Sequence, residues 1–205
     1  MPPYAYPEGN RKLIQTLNLQ PHPEAGFYCE TARTEETIPS PFAGGATRNL
    51  ATQIYYLLTP DSCQGKMHMN KSITYHLLHQ GRARYTLIQP RSPTDGPSES
   101  TASGAGGPEM KHVVMGSDSS KGEVRQLVVE GGWWKASEIP EDDLAAGDED
   151  QIGCLISEAS PLPLSYPRFD FADHKFLDRK GLVELFGGDE THPKIERLLP
   201  YTQER

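Results

Sequence analysis

The chain has 205 residues and a mass of 22.7 kDa; its 28 acidic and 20 basic side chains give a formal charge of −8 and a pI near 5.4. That size suits a single domain spanning 1–205, because β-sandwiches and barrels reach it without dividing, and the acidic balance argues against nucleic acid as a partner, which needs a basic face to displace counterions. No apolar run approaches the about 18 residues of a membrane span and MPPYAYPEGN does not read as a leader, so no membrane partner is expected and a soluble, cytoplasmic location is the default expectation.

Glycine (19) and proline (18) are abundant while the hydrophobic fraction is 36%, the profile of many short strands joined by turns. The odd cysteine count (Cys29, Cys63, Cys154) and the lack of C-x-x-C spacing read as reduced structural thiols, not a disulfide framework or a thiolate metal site.

In chain order, Asn10 is placed to cap a short helix carrying Leu13, Ile14 and Leu17, which ends before Pro21. Gly26 then opens an alternating strand with Phe27, Cys29 and Thr31 on one face and Tyr28, Glu30 and Ala32 on the other. A phenol and a carboxylate on one face line a wet pocket or form a solvated outer surface; the pattern allows both. Residues 35–49 read as a loop able to fold over a pocket mouth, and ATQIYYLL (51–58) reads as a strand.

The stretch 65–81, GKMHMNKSITYHLLHQG, gathers three histidines, a tyrosine and an asparagine among strand-forming residues. Alternation puts His76 and Leu78 on one face and Tyr75, Leu77 and His79 on the other. The following 82–89 also alternates, so Gln80, Gly81 and Arg82 read as a hairpin connection. Residues 91–107 are low in apolar side chains and read as a flexible insertion. Strands are expected at 112–115 and 123–129, followed by EGGWWKAS as a glycine turn feeding another strand. The acidic run 138–150 reads as a solvated loop without the spacing of a calcium site. A buried strand over 152–157, a strand and turn in PRFDFADHKFL, a helix capped by Asp178 and a last short helix over 193–199 complete the chain. Eight or more short strands with helices at the ends make an all-β plan of barrel or jelly-roll type.

The blocks PHPEAGFYCET, TQIYYLLTP, GKMHMNKSITYHLLHQGRARYTLI, QLVVEGGWWKAS and PRFDFADHKFLDR, in this order, resemble the cupin-fold family once catalogued as a domain of unknown function (DUF985) and typified by a YML079-like jelly roll; the resemblance covers roughly residues 12–187. It implies an all-β cupin, a double-stranded β-helix with short peripheral helices, in a homodimer, with a small-molecule pocket inside the barrel. Metal-binding cupins supply three histidines and one carboxylate. Here Asn70 stands in place of the second histidine of the first motif, and Lys135, a cation, stands where the last ligand is expected. No metal and no other cofactor are therefore expected.

The candidate catalytic residues are His68, Glu30, Tyr28 and His76; Lys135, Trp134, Asn70 and Asp173 are candidate substrate contacts. A histidine base, a tyrosine acid and an orienting carboxylate converging in the barrel form the minimal equipment for moving a proton next to a carbonyl. A lysine there would polarise an oxyanion or bind a carboxylate, and a tryptophan would offer an apolar wall. The expected function is a metal-independent isomerase, epimerase, cyclase or dehydratase acting on a small carbonyl-bearing metabolite. The alternatives are a noncatalytic ligand-binding cupin and a metal-dependent one.

Overall fold

The computed structural model describes residues 8–40, 45, 47–90, 108–145, 148–160 and 174–203. Helix α1 (Asn10–Thr16) is followed by β1 (Gln20–Pro21), β2 (Phe27–Arg33), β3 (Thr37–Pro39), β4 (Thr47–Asn49), β5 (Thr52–Leu58), β6 (His68–Asn70), β7 (Thr74–Gly81), β8 (Ala83–Gln89), β9 (Glu109–Met115), β10 (Gln126–Val129) and β11 (Trp134–Glu138). Helix α2 (Glu141–Leu144), β12 (Cys154–Ser160), β13 (His174–Phe176), α3 (Arg179–Leu185) and α4 (Pro193–Leu198) complete the order. All pairings between these strands are antiparallel. One sheet has the order β1-β2-β5-β12-β7-β10, the facing sheet β13-β6-β11-β8-β9, and β3-β4 form a separate ribbon. The architecture is an all-β jelly roll of two facing antiparallel sheets with short peripheral helices, as the resemblance implies.

Period-2 alternation sorts each strand between an inner and an outer layer. Tyr56 and Leu58 on β5, Tyr85 and Leu87 on β8, Ile156 on β12 and Leu127 on β10 form the core between the sheets. Leu57 and Leu155 face outward, where Leu13 and Leu19 at the N-terminal helix cover them. On the opposite side Met67, Ile88 and Ala136 are covered by Leu182, Phe186, Ile195 and Leu198 of the C-terminal helices. The alternation expected for 74–79 is the one found: His76 and Leu78 face inward, while His79 lies beside Tyr55 on the other side.

Several expectations change. Residues 80–82 do not close a hairpin, since β7 belongs to one sheet and β8 to the other. The chain turns a corner between layers at Gly81, whose φ of 81° and a would-be Cβ 1.8 Å from the Gly153 carbonyl oxygen leave room only for glycine. Gly9, not Asn10, caps α1; Asn10 is buried and donates its amide to the carbonyls of Glu149 (3.0 Å) and Ile152 (2.6 Å). Asp178 does cap its helix, accepting from the Gly181 N–H at 2.7 Å. Within the acidic run, Glu138 ends β11 and accepts from Tyr201 Oη, residues 141–144 form α2, and Asp142 and Asp143 both pair with Arg82, while Glu141, Asp142, Asp148 and Glu149 lie exposed to solvent. The expected insertion at 91–107 lies outside the described residues. Cys29, Cys63 and Cys154 are free thiols, and among the described residues no helix is long and apolar enough to cross a membrane.

Candidate functional site

The inner faces of both sheets line a narrow pocket, with about 20 Å³ clear of atoms, whose polar lining includes Glu24, His68, His76, Lys135 and Glu158, with the phenols of Tyr56 and Tyr85. That is room for a single water, so a small metabolite enters only where the lining side chains move apart.

One wall is built around Lys135. On β11 the side chains alternate, so Trp134 and Ala136 join the outer cluster and Lys135, 1% exposed, points inward. Its ammonium donates to Glu158 Oε1 on β12 at 2.7 Å, Thr74 Oγ1 at 3.0 Å and His76 Nε2 at 3.3 Å, which uses all three of its N–H bonds. Because an ammonium can only donate, His76 Nε2 is an acceptor and the ring proton is assigned to Nδ1, which faces Tyr85 Oη at 3.4 Å and Glu158 Oε2 at 3.5 Å. Burial alone would push the Glu158 carboxyl up, but the adjoining Lys135 charge outweighs it and holds it at about 2. Burial takes His76 down to about 3, so its imidazole is neutral at physiological pH. Burial raises both Tyr56 and Tyr85 well above the ordinary phenol value, leaving two permanently protonated hydroxyls in the cavity.

The other wall comes from the turn His22-Pro23-Glu24-Ala25-Gly26 between β1 and β2. Ala25 and Gly26 both have positive φ (74° and 72°), and a Cβ on Gly26 would lie 2.6 Å from the Leu57 carbonyl oxygen. The turn is pinned by the Glu24 N–H donating to His22 Nδ1 (3.1 Å), the Gly26 N–H to Ser62 Oγ (2.6 Å) and the Lys66 N–H to the Glu24 carbonyl (2.8 Å). The Glu24 carboxylate so placed has Oε1 2.5 Å from His174 Nε2 and Oε2 3.4 Å from His68 Nε2. His68 and His174 are stacked at 5.1 Å between centroids, and His68 Nδ1 lies 2.9 Å from the Lys66 carbonyl oxygen. Burial lowers His68 to about 4; for Glu24, burial works upward, but the neighbouring imidazoles of His68 and His174 win and keep the carboxyl well below its usual range.

Of the residues singled out in the sequence, the structure brings together His68, His76 and Lys135. Glu30 does not reach them. It shares a face with Tyr28, but β2 runs out of the packed region after Cys29 and is followed by a register shift, so Glu30 is exposed and paired with Arg33. Tyr28 is half-buried and sits edge-on to the His22 ring at 4.6 Å, behind the wall. Trp134 faces away from the cavity into the helix-covered cluster, while Trp133 packs on the inner core beneath the Lys111 ammonium. Asn70 lies beside His174 in the strand pairing, and its side-chain oxygen is buried without a hydrogen-bond partner among the described residues. Asp173 lies outside the described residues.

Sequence reasoning missed Glu24, His174 and Glu158. The first two sit inside PHPEAGFYCET and FDFADH, the most specific of the family blocks, where the quoted signal was at hand. Glu158 follows a strand that reads as plain core.

The expected absence of metal rested on His68 having too few companions. The structure supplies Glu24 and His174, whose ligand atoms lie with that of His68 within 4.8 Å of one another. At the position where the cupin pattern places its last metal ligand, by contrast, Lys135 brings a cation of its own, and that donor set does not fit a divalent ion.

The family pattern described as Cupin superfamily (DUF985) matches residues 11–177. The uncharacterized protein YML079W of Saccharomyces cerevisiae is 38% identical over 187 residues, covering 87% of this chain and 79% of that protein. Among solved structures, a hypothetical protein from Leishmania major is similar with a TM-score of 0.68 and 24% identity, over 97% of this chain and 100% of the other. Protein SO0799 from Shewanella oneidensis gives 0.65 and 20%, over 96% and 98%. These two likenesses speak to the fold.

Proposed function

The chain belongs to the DUF985 family of the cupin superfamily, and from that premise we propose that it is an enzyme that moves a proton on a small α-hydroxy carbonyl compound held in the barrel cavity, as an isomerase or epimerase. The observation that carries the reading is Glu158: an ionised carboxylate, 19% of its side chain exposed, sharing the cavity with two phenols that keep their protons.

In this reading Glu158 takes the proton from the carbon next to the carbonyl. The C–H electron pair passes into the enolate, and the phenol of Tyr56 or Tyr85 donates to the oxygen on which charge develops. His68, whose Nδ1–H is committed to the Lys66 carbonyl, offers its Nε2 lone pair to the substrate hydroxyl. Protonating Glu158 removes the partner of the Lys135 ammonium, so the proton is driven back to substrate quickly. Lys135 positions Glu158 and does not itself touch substrate, since its three N–H bonds are already in use.

The test is to incubate the purified chain with a panel of small hydroxy-aldehydes and hydroxy-ketones in deuterated water and follow the α-carbon by NMR. Deuterium incorporation that falls at least about a hundredfold in Glu158→Gln is expected. Saturable binding of a compound with no exchange would replace this reading by that of a noncatalytic binding cupin.

A further inference from the structure

We propose that Glu24, His68 and His174 bind one divalent transition-metal ion, at a site distinct from the cupin pattern's donor set and sharing only His68 with it. The inference does not need the reaction proposed above and would hold for a noncatalytic protein as well, but the two share one group: with an ion bound, the His68 Nε2 lone pair is no longer open to a substrate hydroxyl.

The first support is the donor geometry. His68 Nδ1 lies against the Lys66 carbonyl oxygen, which can only accept, so the ring proton is on Nδ1 and Nε2 presents a lone pair. That lone pair faces Glu24 Oε2 at 3.4 Å, one acceptor against another. A cation between them turns the repulsion into two bonds. The arrangement also matches what ligating histidines show, with one nitrogen on the metal and the other N–H held by a backbone carbonyl. Metal bonds of about 2.0–2.2 Å put neighbouring donor atoms roughly 3 Å apart, and the observed Glu24–His174 and Glu24–His68 separations of 2.5 and 3.4 Å bracket that value.

The second support is charge. Glu158 has Lys135 as its counter-ion, whereas Glu24, 8% exposed, has among the described residues only imidazoles within ion-pair distance: His22, His68 and His174. A carboxylate buried among imidazoles, with no ammonium or guanidinium, is short of one positive charge. Two imidazole nitrogens and one carboxylate oxygen select an ion such as Zn²⁺ or Fe²⁺ over Ca²⁺ or Mg²⁺.

The three ligands are also held independently of one another. Glu24 is fixed by its pinned turn, and His68 and His174 come from β6 and β13, adjacent strands paired His174 to Asn70 and Phe176 to His68. Phe176 meets the His174 ring edge-on at 4.8 Å.

The full chain, stripped with a chelator and dialysed, should bind about one equivalent of Co²⁺ or Zn²⁺ by elemental analysis, with Co²⁺ giving visible ligand-field absorption. His174→Ala and Glu24→Gln should each weaken Zn²⁺ by about a hundredfold or more, beyond the 10–100-fold of losing an outer-shell partner. His79→Ala, on the outer face, should bind as the parent does. Should the cavity variants fail to fold, the parent chain still decides the matter, because Zn²⁺ at a hundred times its Kd should stabilise it by about 2.7 kcal/mol in a thermal melt. A stripped chain that takes up no Zn²⁺ or Co²⁺ and shows no melting shift overturns the proposal and leaves Glu24–His174 as a metal-free ion pair. So does one equivalent that persists undiminished in His174→Ala.

Discussion

Lys135 and Glu158 come from opposite sheets and meet at 2.7 Å inside the barrel, so one ion pair bridges the two layers. Removing one partner strands the other. Lys135→Met should cost about 3–5 kcal/mol by leaving a buried carboxylate uncompensated. Lys135→Met with Glu158→Gln should recover a good part of that loss, giving strong non-additivity in a double-mutant cycle. Urea unfolding of the four proteins measures it, and additive losses would mean that the two groups do not compensate each other.

Stability should fall as the solution is acidified. His76, held at about 3 against an ordinary 6.5, stays neutral in the folded state while the unfolded chain takes up a proton below 6.5. Glu158, held at about 2 against 4.5, adds a second proton difference below 4.5. In both windows the unfolded state binds more protons, so stability is lost with falling pH at up to about 1.4 kcal/mol per pH unit for each group. Melting temperatures between pH 7 and 4 should decline from about 6.5 downward and more steeply below 4.5, and His76→Gln should flatten the upper part of the curve.

Gly81→Ala should be far more damaging than Gly122→Ala. Both glycines have positive φ (81° and 76°), which costs an alanine about 1–3 kcal/mol by itself. At Gly122 a Cβ meets nothing within 4 Å, whereas at Gly81 it falls 1.8 Å from a backbone oxygen that cannot give way. Comparable melting temperatures for the two variants would show that the corner is softer than its contacts imply.

Glu30→Gln should change stability by no more than about 0.5 kcal/mol, as befits an exposed pair with Arg33. Glu24→Gln, measured on the chelator-treated chain, should cost about 1.5–3 kcal/mol through its charged hydrogen bond to His174. Denaturant midpoints compare the two directly, and equal losses would mean that Glu24 is not held as described.

The same two glutamates show where the sequence stopped being informative. Alternation gave the faces of β2 as far as Glu30, but neither the register shift between Glu30 and Ala32, which turns Ala32 off the face expected for it, nor how far along the strand the packing reaches, and Glu30 lies just past that limit. Glu24 belongs to no periodic element. Its place is set by a turn with two positive φ angles and by hydrogen bonds to residues 36 and 42 positions away, partners that local pattern does not carry. His76 was legible because strand alternation sets which residues share its face, and Lys135 because the resemblance places it where the cupin pattern has its last ligand. The hairpin reading of 80–82 failed for a related reason: alternating residues on either side of a glycine look alike whether the next strand pairs beside the first or folds over it.

The corner at Gly81 also bears on how the cavity can open. His76 on β7 and Tyr85 on β8 stand in opposite walls, with rings 5.2 Å apart and at 68°, yet only nine positions separate them along the chain. The walls at this end are therefore joined by a short covalent tether as well as by packing, and they cannot part here without unravelling both strands. Amide exchange in β7 and β8 should accordingly proceed as one cooperative unit, and any widening of the pocket to admit a ligand is expected to come from other side chains than this tethered pair.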